Sequence, residues 1–277
     1  MSSFSPLRYP GGKAKIASLV SAIIRENGLH CQTYLEPFAG GAGVALHLLL
    51  NREVERIVIN DVDKAVCSFW KAILEETDRF VEQIRTTPVT IQEWRKQREI
   101  YFSGKKYSFE LGFAMFFLNR TNHSGILTGG PIGGYEQKGS WTLDCRFNRE
   151  CLIEKILRIA TFRKNIKVYN QDIFTFAGRY MRKYTDNAFV YFDPPYYHKS
   201  PRLYKNSFTH DDHVQLCRLI TEDVRIPWIA TYDNTKEISD IYRNIASRNI
   251  DVFYSAGSNC IGKEILFYQP SLVIPSV

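Results

Sequence analysis

Several things are missing from this 277-residue sequence, and each absence narrows the reading. Its six cysteines (Cys31, Cys67, Cys145, Cys151, Cys217, Cys260) include no C-x-x-C pair. Zinc-finger and dithiol redox spacings are therefore absent, and reduced, mostly packed thiols with no bound metal are expected. No run approaches the roughly twenty apolar residues that a membrane span requires. The most apolar stretch, Leu111 to Leu118, is short and reads as a buried helix. The first residues, Met1-Ser-Ser-Phe-Ser-Pro, lack the basic and apolar segments of a secretory leader, so a cytoplasmic protein is expected. There is no internal repeat, no low-complexity tract and no Gly/Ser linker.

What is present is ordinary in bulk, with 44% hydrophobic and 23% charged residues, enough to bury a real core. Lysine and arginine exceed aspartate and glutamate by 36 to 29, a net charge of +7 and a pI near 9.0. A basic surplus favours an anionic partner such as nucleic acid, although many basic proteins bind none.

Three runs rich in β-branched or aromatic residues end at a carboxylate or a turn signal: Gln32-Thr-Tyr-Leu-Glu, Glu55-Arg-Ile-Val-Ile-Asn and Ala188-Phe-Val-Tyr-Phe. Between the first two, Val44-Ala-Leu-His-Leu-Leu-Leu follows a glycine-rich entrance and has helix length. Strand, glycine loop, helix, strand is the unit of an open parallel sheet. The α/β pattern resumes at Ile166-Lys-Val-Tyr-Asn and closes with an antiparallel pair, Ile250 to Tyr254 and Ile265 to Tyr268. Residues 75–165 read differently. Helices are expected over Asp78 to Ile84 and Ile91 to Ile100, then a long hairpin or exposed loop from Asn119 to Phe147 around Gly129-Gly-Pro-Ile-Gly-Gly-Tyr. The expected organisation is thus a sheet domain of residues 1–74 and 166–277 carrying an insertion, residues 75–165.

Chemistry concentrates at the ends of the strands. Asp193-Pro-Pro-Tyr196 follows a central strand, where open α/β sheets bind ligands. The prolines stiffen the backbone and donate no hydrogen bond, leaving the Asp193 carboxylate, the Pro194 carbonyl and an aromatic face as an acceptor array for a planar amine. The plainer reading is a strand terminus with a proline turn. Glu36-Pro-Phe-Ala-Gly-Gly-Ala-Gly43 lies between strand and helix, where glycines admit close approach of a ligand to the backbone. A dinucleotide fingerprint needs a third glycine where this chain has Leu46, which disfavours a nicotinamide cofactor. Asp61 ends the second strand about twenty residues beyond the loop, the place for a ribose-binding acid. It is equally placed to cap a helix beginning near Val62, and the two roles are compatible.

Arg8-Tyr-Pro-Gly-Gly-Lys13, the Pro-Phe-Ala-Gly-Gly-Ala-Gly43 loop, Asn60-Asp61 and Asp193-Pro-Pro-Tyr196 occur in the order seen in Dam-type DNA adenine-N6 methyltransferases, and the resemblance spans essentially the whole chain. Asn119-Arg-Thr121 and Asn206-Ser-Phe-Thr209 are similar to segments of that family as well. The resemblance implies an α/β fold, a doubly wound, mostly parallel, Rossmann-like methyltransferase sheet with an inserted helical and hairpin DNA-recognition domain. It implies S-adenosylmethionine as cofactor, held by Tyr9, Lys13, Phe38, Gly40, Asp61 and Asp193. Asp172 is a candidate for the cofactor's adenine amine, or else a helix N-cap. The catalytic residues would be Asp193, Pro194 and Tyr196, acting on an adenine flipped from double-stranded DNA, with in-line displacement at the methyl carbon. No Pro-Cys dipeptide of the kind that cytosine-C5 methylases use occurs. Arg8, Asn119 and Arg120 are the candidate DNA contacts, joined by the loop from Thr121 to Trp141. Its glycine-rich Leu-Thr-Gly-Gly-Pro tract departs from the family's familiar recognition hairpin. No obligate protein partner is evident. Alternatives are an N-methyltransferase acting on RNA or protein, or a catalytically idle DNA-binding homologue. Glutamine methylases of similar fold usually carry Asn at the place of Asp193, which speaks against a protein amide.

Overall fold

A computed structural model describes residues 4–8, 13–184, 187–198, 208–254 and 260–275. The chain divides into two compact units, one of Gly11–Val62 and Asn165–Val277, the other of Ser2–Pro10 and Asp63–Lys164.

The first unit is built on a sheet that has seven strands among the described residues. They are β1 Thr33–Glu36, β2 Arg56–Asn60, β3 Ile166–Tyr169, β4 Ala188–Phe192, β5 Trp228–Asp233, β6 Ser247–Tyr254 and β7 Cys260–Tyr268. Their order is β3-β2-β1-β4-β5-β7-β6. The first five are parallel and β7 is antiparallel to both its neighbours. This is the doubly wound, mostly parallel α/β sheet expected from the sequence. Every residue of β1, β4 and β5 is buried, as parallel strands covered on both faces must be, so these runs show no alternation of apolar and solvent-facing positions. Among the described residues the helices of this unit are α1 Lys13–Glu26, α2 Gly43–Leu50, α8 Ile173–Arg179, α9 His210–Arg218 and α10 Lys236–Ile241. One face of the sheet packs Val190, Phe192, Trp228 and Ala230 against Phe176, Leu216, Ile220 and Ile238. Strand order reverses between β1 and β4. A crevice at the carboxyl ends of strands forms at such a switch point, so the loop after β1 and Asp193 after β4 meet the same opening.

The second unit is helical: α3 Lys64–Glu75, α4 Thr77–Thr86, α5 Ile91–Ser103, α6 Phe109–Thr121 and α7 Arg149–Ala160. Each of these but α4 has a side-chain N-cap, from Asp63, Thr90, Ser108 and Asn148 in turn. Its core is aromatic. Phe69 of α3, Phe80 of α4 and Phe109, Phe113 and Phe116 of α6 pack mainly edge to face. The helices α3 and α6 cross closely because position 112 is glycine. A Cβ there would lie 2.6 Å from the Ser68 backbone.

Of the two expectations for Asn119 to Phe147, a long hairpin or an exposed loop, the chain forms a turn-rich loop. It contains a lone antiparallel bridge, Asn122 to Pro131, and two short 3-10 turns, His123–Gly125 and Leu143–Arg146. Left-handed conformations at Ser124, Gly125, Gly133, Gly134 and Gln137 prevent any extended run. The loop is closed by buried side chains instead. The Asn122 amide donates to the carbonyls of Ile126 and Leu127, and its oxygen accepts from the Trp94 indole at 2.7 Å.

Candidate functional site

The site at the switch point begins with β1. Its last residue, Glu36, is fully buried, and its carboxylate accepts the Ala45 N–H at 2.9 Å in the first turn of α2. Ala42, which precedes α2, is left-handed (φ 47°) and supplies no side-chain cap, so Glu36 satisfies a helix-terminal donor from beneath. The turn itself needs a second left-handed residue, Gly40 (φ 46°). A non-glycine residue held at positive φ, as Ala42 is, stores of order 1 kcal/mol of strain, and such positions gather at ligand sites.

Asp61 follows β2 and fastens this turn. One of its oxygens accepts the Gly40 N–H at 2.9 Å. The alternative role as a helix cap is corrected. Asp63 caps α3, its carboxylate accepting from Ala65 at 2.8 Å. The neighbouring Asn60 is buried and bridges two loops, donating to the Pro37 and Gln171 carbonyls while accepting from the Gln171 N–H. Asn170 donates in turn to the carbonyls of Asp61 and Val62. The ends of β1, β2 and β3 are thus tied together by two asparagines. Phe38, half-buried in the turn, packs edge to face with Phe208 at 5.9 Å.

Asp172 is the N-cap of α8, accepting from the Thr175 N–H at 2.9 Å. Hydrogen bonds from Thr175 and neighbouring N–H groups hold its carboxyl below the ordinary range, against the opposing effect of partial burial. Its residue is exposed, so one carboxylate can serve both a helix and a ligand.

Asp193 follows β4 and is half-buried. The Thr231 hydroxyl of β5 donates to it at 3.3 Å, and the Tyr191 phenol lies 2.8 Å from that same hydroxyl. Burial, then Asp193 and Glu264, hold the Tyr191 phenol well above its usual value, so Tyr191 stays a neutral donor in this chain. Pro194 is buried and Tyr196 half-buried. The Tyr196 hydroxyl donates to Glu264 Oε1 at 2.5 Å, and the next N–H, of Tyr197, donates to Asp233 at 3.0 Å. The segment after β4 is therefore clamped by carboxylates from β5 and β7, which pair Asp233 opposite Glu264. Sequence reasoning assigned no role to Thr231, Asp233 or Glu264. Asp233 had a signal, since Trp228 to Asp233 repeats the apolar strand ending in a carboxylate seen at Asp61 and Asp193. Glu264 had none, because Gly262-Lys-Glu-Ile looks like the solvated face of a hairpin, yet it is 3% exposed.

These residues fit a cofactor with a ribose and a planar base. Asp61 offers a carboxylate at the mouth of a glycine turn, Phe38 an aromatic edge, and Asp172 an exposed acceptor one strand away. Tyr9 lies outside the described residues, as do the Lys13 side chain and residues 206–207 of the Asn206–Thr209 segment.

In the helical unit, Asn119 is corrected from a base contact to a bracket. It is 1% exposed, with its oxygen accepting the Arg8 N–H at 2.6 Å and its amide donating to the carbonyls of Arg8 (2.8 Å) and Gly125 (3.1 Å). Both amide donors are committed, so none is left for a base edge. Arg8 is half-buried and donates to the Asn122 carbonyl at 3.1 Å. Arg120, on the last turn of α6, donates through Nε to the Arg146 carbonyl at 2.7 Å. Trp141 and Tyr135 of the adjoining loop are exposed.

Residues 9–255 match the model of the D12 class N6 adenine-specific DNA methyltransferases. Type II methyltransferase M.MjaIII of Methanocaldococcus jannaschii is 26% identical over 239 residues, covering 76% of this chain and 77% of that protein. Type II methyltransferase M1.LlaDCHI of Lactococcus lactis subsp. cremoris is 19% identical over 273 residues, 93% of this chain and 82% of that one. Among solved structures, the rRNA methyltransferase aviRa from Streptomyces viridochromogenes aligns over 94% of this chain and 85% of its own, at 12% identity and a TM-score of 0.44.

Proposed function

Since the chain belongs to the D12 class of N6 adenine-specific DNA methyltransferases, we propose that it methylates a flipped adenine at a specific site in double-stranded DNA, with Asp193, Pro194 and Tyr196 as its catalytic residues. The enzyme is an S-adenosylmethionine-dependent adenine methyltransferase, which answers the RNA, protein and idle-homologue alternatives. S-adenosylmethionine supplies the electrophilic methyl group. Asp61, Phe38, Gly40 and Asp172 would hold it, with Tyr9 and Lys13 as further candidates. The compartment is the one that holds the DNA, the cytoplasm expected from the sequence. Among the described residues no helix is long and apolar enough to cross a membrane.

The observation that carries the residue assignment is the hydrogen-bonded ledge of Tyr191, Thr231 and Asp193 at the sheet's switch point. Thr231 fixes one carboxylate oxygen of Asp193 and orients the group. Adenine N6 is a weak nucleophile because its lone pair is delocalised into the ring. Accepting its two N–H groups on Asp193 and the Pro194 carbonyl favours the tetrahedral nitrogen that attack requires. The amino group cannot be reached inside a stacked duplex, so the base is flipped, and Tyr196 offers the face on which it stacks. The remaining contribution is alignment of nitrogen, methyl carbon and leaving sulfur.

The test is transfer of labelled methyl groups from S-adenosylmethionine to DNA by wild type and Asp193→Ala. Losing an aligned acceptor should remove about 3 kcal/mol or more of transition-state stabilisation, a fall of at least about 100-fold. DNA binding should stay near the wild-type value. Turnover within tenfold of wild type would remove Asp193 from the catalytic role.

A further inference from the structure

Away from the strand ends, the helical unit gathers four cations. Arg120 ends α6, Arg146 ends the short 3-10 turn before α7, Lys155 lies on α7, and Arg8 is held beside them by the Asn119 bracket. Arg8 and Arg120 are anchored by neutral backbone carbonyls. Arg120 donates to Arg146, Arg8 to Asn122, and Lys155 to Ser5 at 3.4 Å. Among the described residues no carboxylate is ion-paired with Arg8, Arg120 or Arg146. Their proximity is felt electrostatically. Burial, then Arg8 and Arg146, push the Arg120 guanidinium down to about 10. Burial and Arg146 lower Arg8, and burial with a contribution from Arg120 lowers Lys155. Arg8, Arg120 and Lys155 are half-buried and Arg146 is exposed; like charges brought near one another at partly buried positions raise the free energy of the unliganded protein, and a bound anion would relieve it.

We propose that Arg8, Arg120, Arg146 and Lys155 form a seat for a phosphodiester of the DNA backbone. This rests on DNA being the substrate and refines the expectation that Arg120 reads a base. A guanine edge occupies one guanidinium fork and carries no net charge. A group of cations matches a full negative charge, and arginine forks fit phosphate oxygens in pairs. Arg120 has already committed Nε to a carbonyl, which fixes its fork in one orientation and suits it to hold register along the duplex.

The variants are Arg146→Ala, which removes a charge while leaving the carbonyl that Arg120 uses, and Lys155→Met. Binding to a target-bearing duplex and to a scrambled duplex would be measured by fluorescence anisotropy from 50 to 300 mM salt, with circular dichroism as the fold control. Each variant should weaken both duplexes alike. The slope of log affinity against log salt should fall by about one per lost contact, and Arg146→Lys should recover most of it. The sites methylated should stay the same. A salt slope unchanged in both variants would overturn the seat, and so would an altered site preference, which would make these residues base readers. The scrambled-duplex arm needs no catalysis, so it judges the seat separately. A wild-type protein that binds both duplexes but methylates no adenine would instead overturn the residue assignment of the proposed function.

Discussion

The clamp on the segment after β4 gives the most informative perturbation. The Tyr196 hydroxyl lies 2.5 Å from Glu264 Oε1, and Glu264 is 3% exposed. Tyr196→Phe keeps the ring that would stack on the base but leaves a buried carboxyl oxygen short of its donor, at a penalty of about 1–3 kcal/mol. Glu264→Gln keeps the shape and one acceptor, so alone it should cost about 1 kcal/mol. If the contact joins them, the double variant should be more stable than the two single losses predict by about 1–2 kcal/mol. Urea unfolding of the four proteins measures this directly, because a shared m-value lets midpoints be read as stability. Activity gives an independent check. An untethered ring should misplace the base, so kcat/KM should fall about tenfold in Tyr196→Phe, which is about 1.4 kcal/mol of transition-state stabilisation. Single-variant effects that add to within about 0.5 kcal/mol would show that the hydroxyl and the carboxyl do not act together, and the clamp would be refuted.

Asp61→Ala should weaken S-adenosylmethionine binding by tenfold or more in calorimetric titration, since it removes both a ribose acceptor and the anchor of the Gly40 turn; equal affinity would take Asp61 out of the cofactor site. The buried His213 has its imidazole lowered by burial to about 4, against 6.5 for the free side chain. The unfolded chain therefore gains a proton between those values that the folded one refuses. Stability should be full above about pH 6.5 and decline as pH falls toward 4, by up to about 3 kcal/mol. His213→Phe should flatten that part of the pH–stability curve, and a curve parallel to wild type would show that other groups govern it.

The catalytic crevice was legible in the sequence because its parts are local. A strand that ends in a carboxylate announces itself within six residues, as Asp61 and Asp193 did, and the glycine turn stands directly beside β1. Asn119 misled for the opposite reason. An asparagine beside an arginine on a family-like segment reads as a base contact, whereas its partner is the backbone of Arg8, 111 residues earlier in the chain. Glu264 was hidden in the same way, since its donor is 68 residues away and its neighbours in sequence are those of an exposed hairpin. Between the hairpin and the loop left open for Asn119 to Phe147, backbone chemistry decides for the loop. Glycines and left-handed residues fold the chain back on the Asn122 amide before strands can pair.

The Asn119 bracket also bears on how such a protein can be rebuilt. Ser2–Pro10 belongs with Asp63–Lys164 rather than with the sheet, so the helical unit is not one uninterrupted cassette. A graft that moved only Asp63–Lys164 into another sheet scaffold would bring the lock without its key. Asn119 would arrive with one buried amide N–H and its oxygen deprived of the Arg8 backbone, keeping only its bond to Gly125, an omission worth several kcal/mol. Exchange of specificity between relatives therefore has to carry two pieces of chain, and recombination at a single pair of junctions would produce hybrids that fold poorly in the transplanted part.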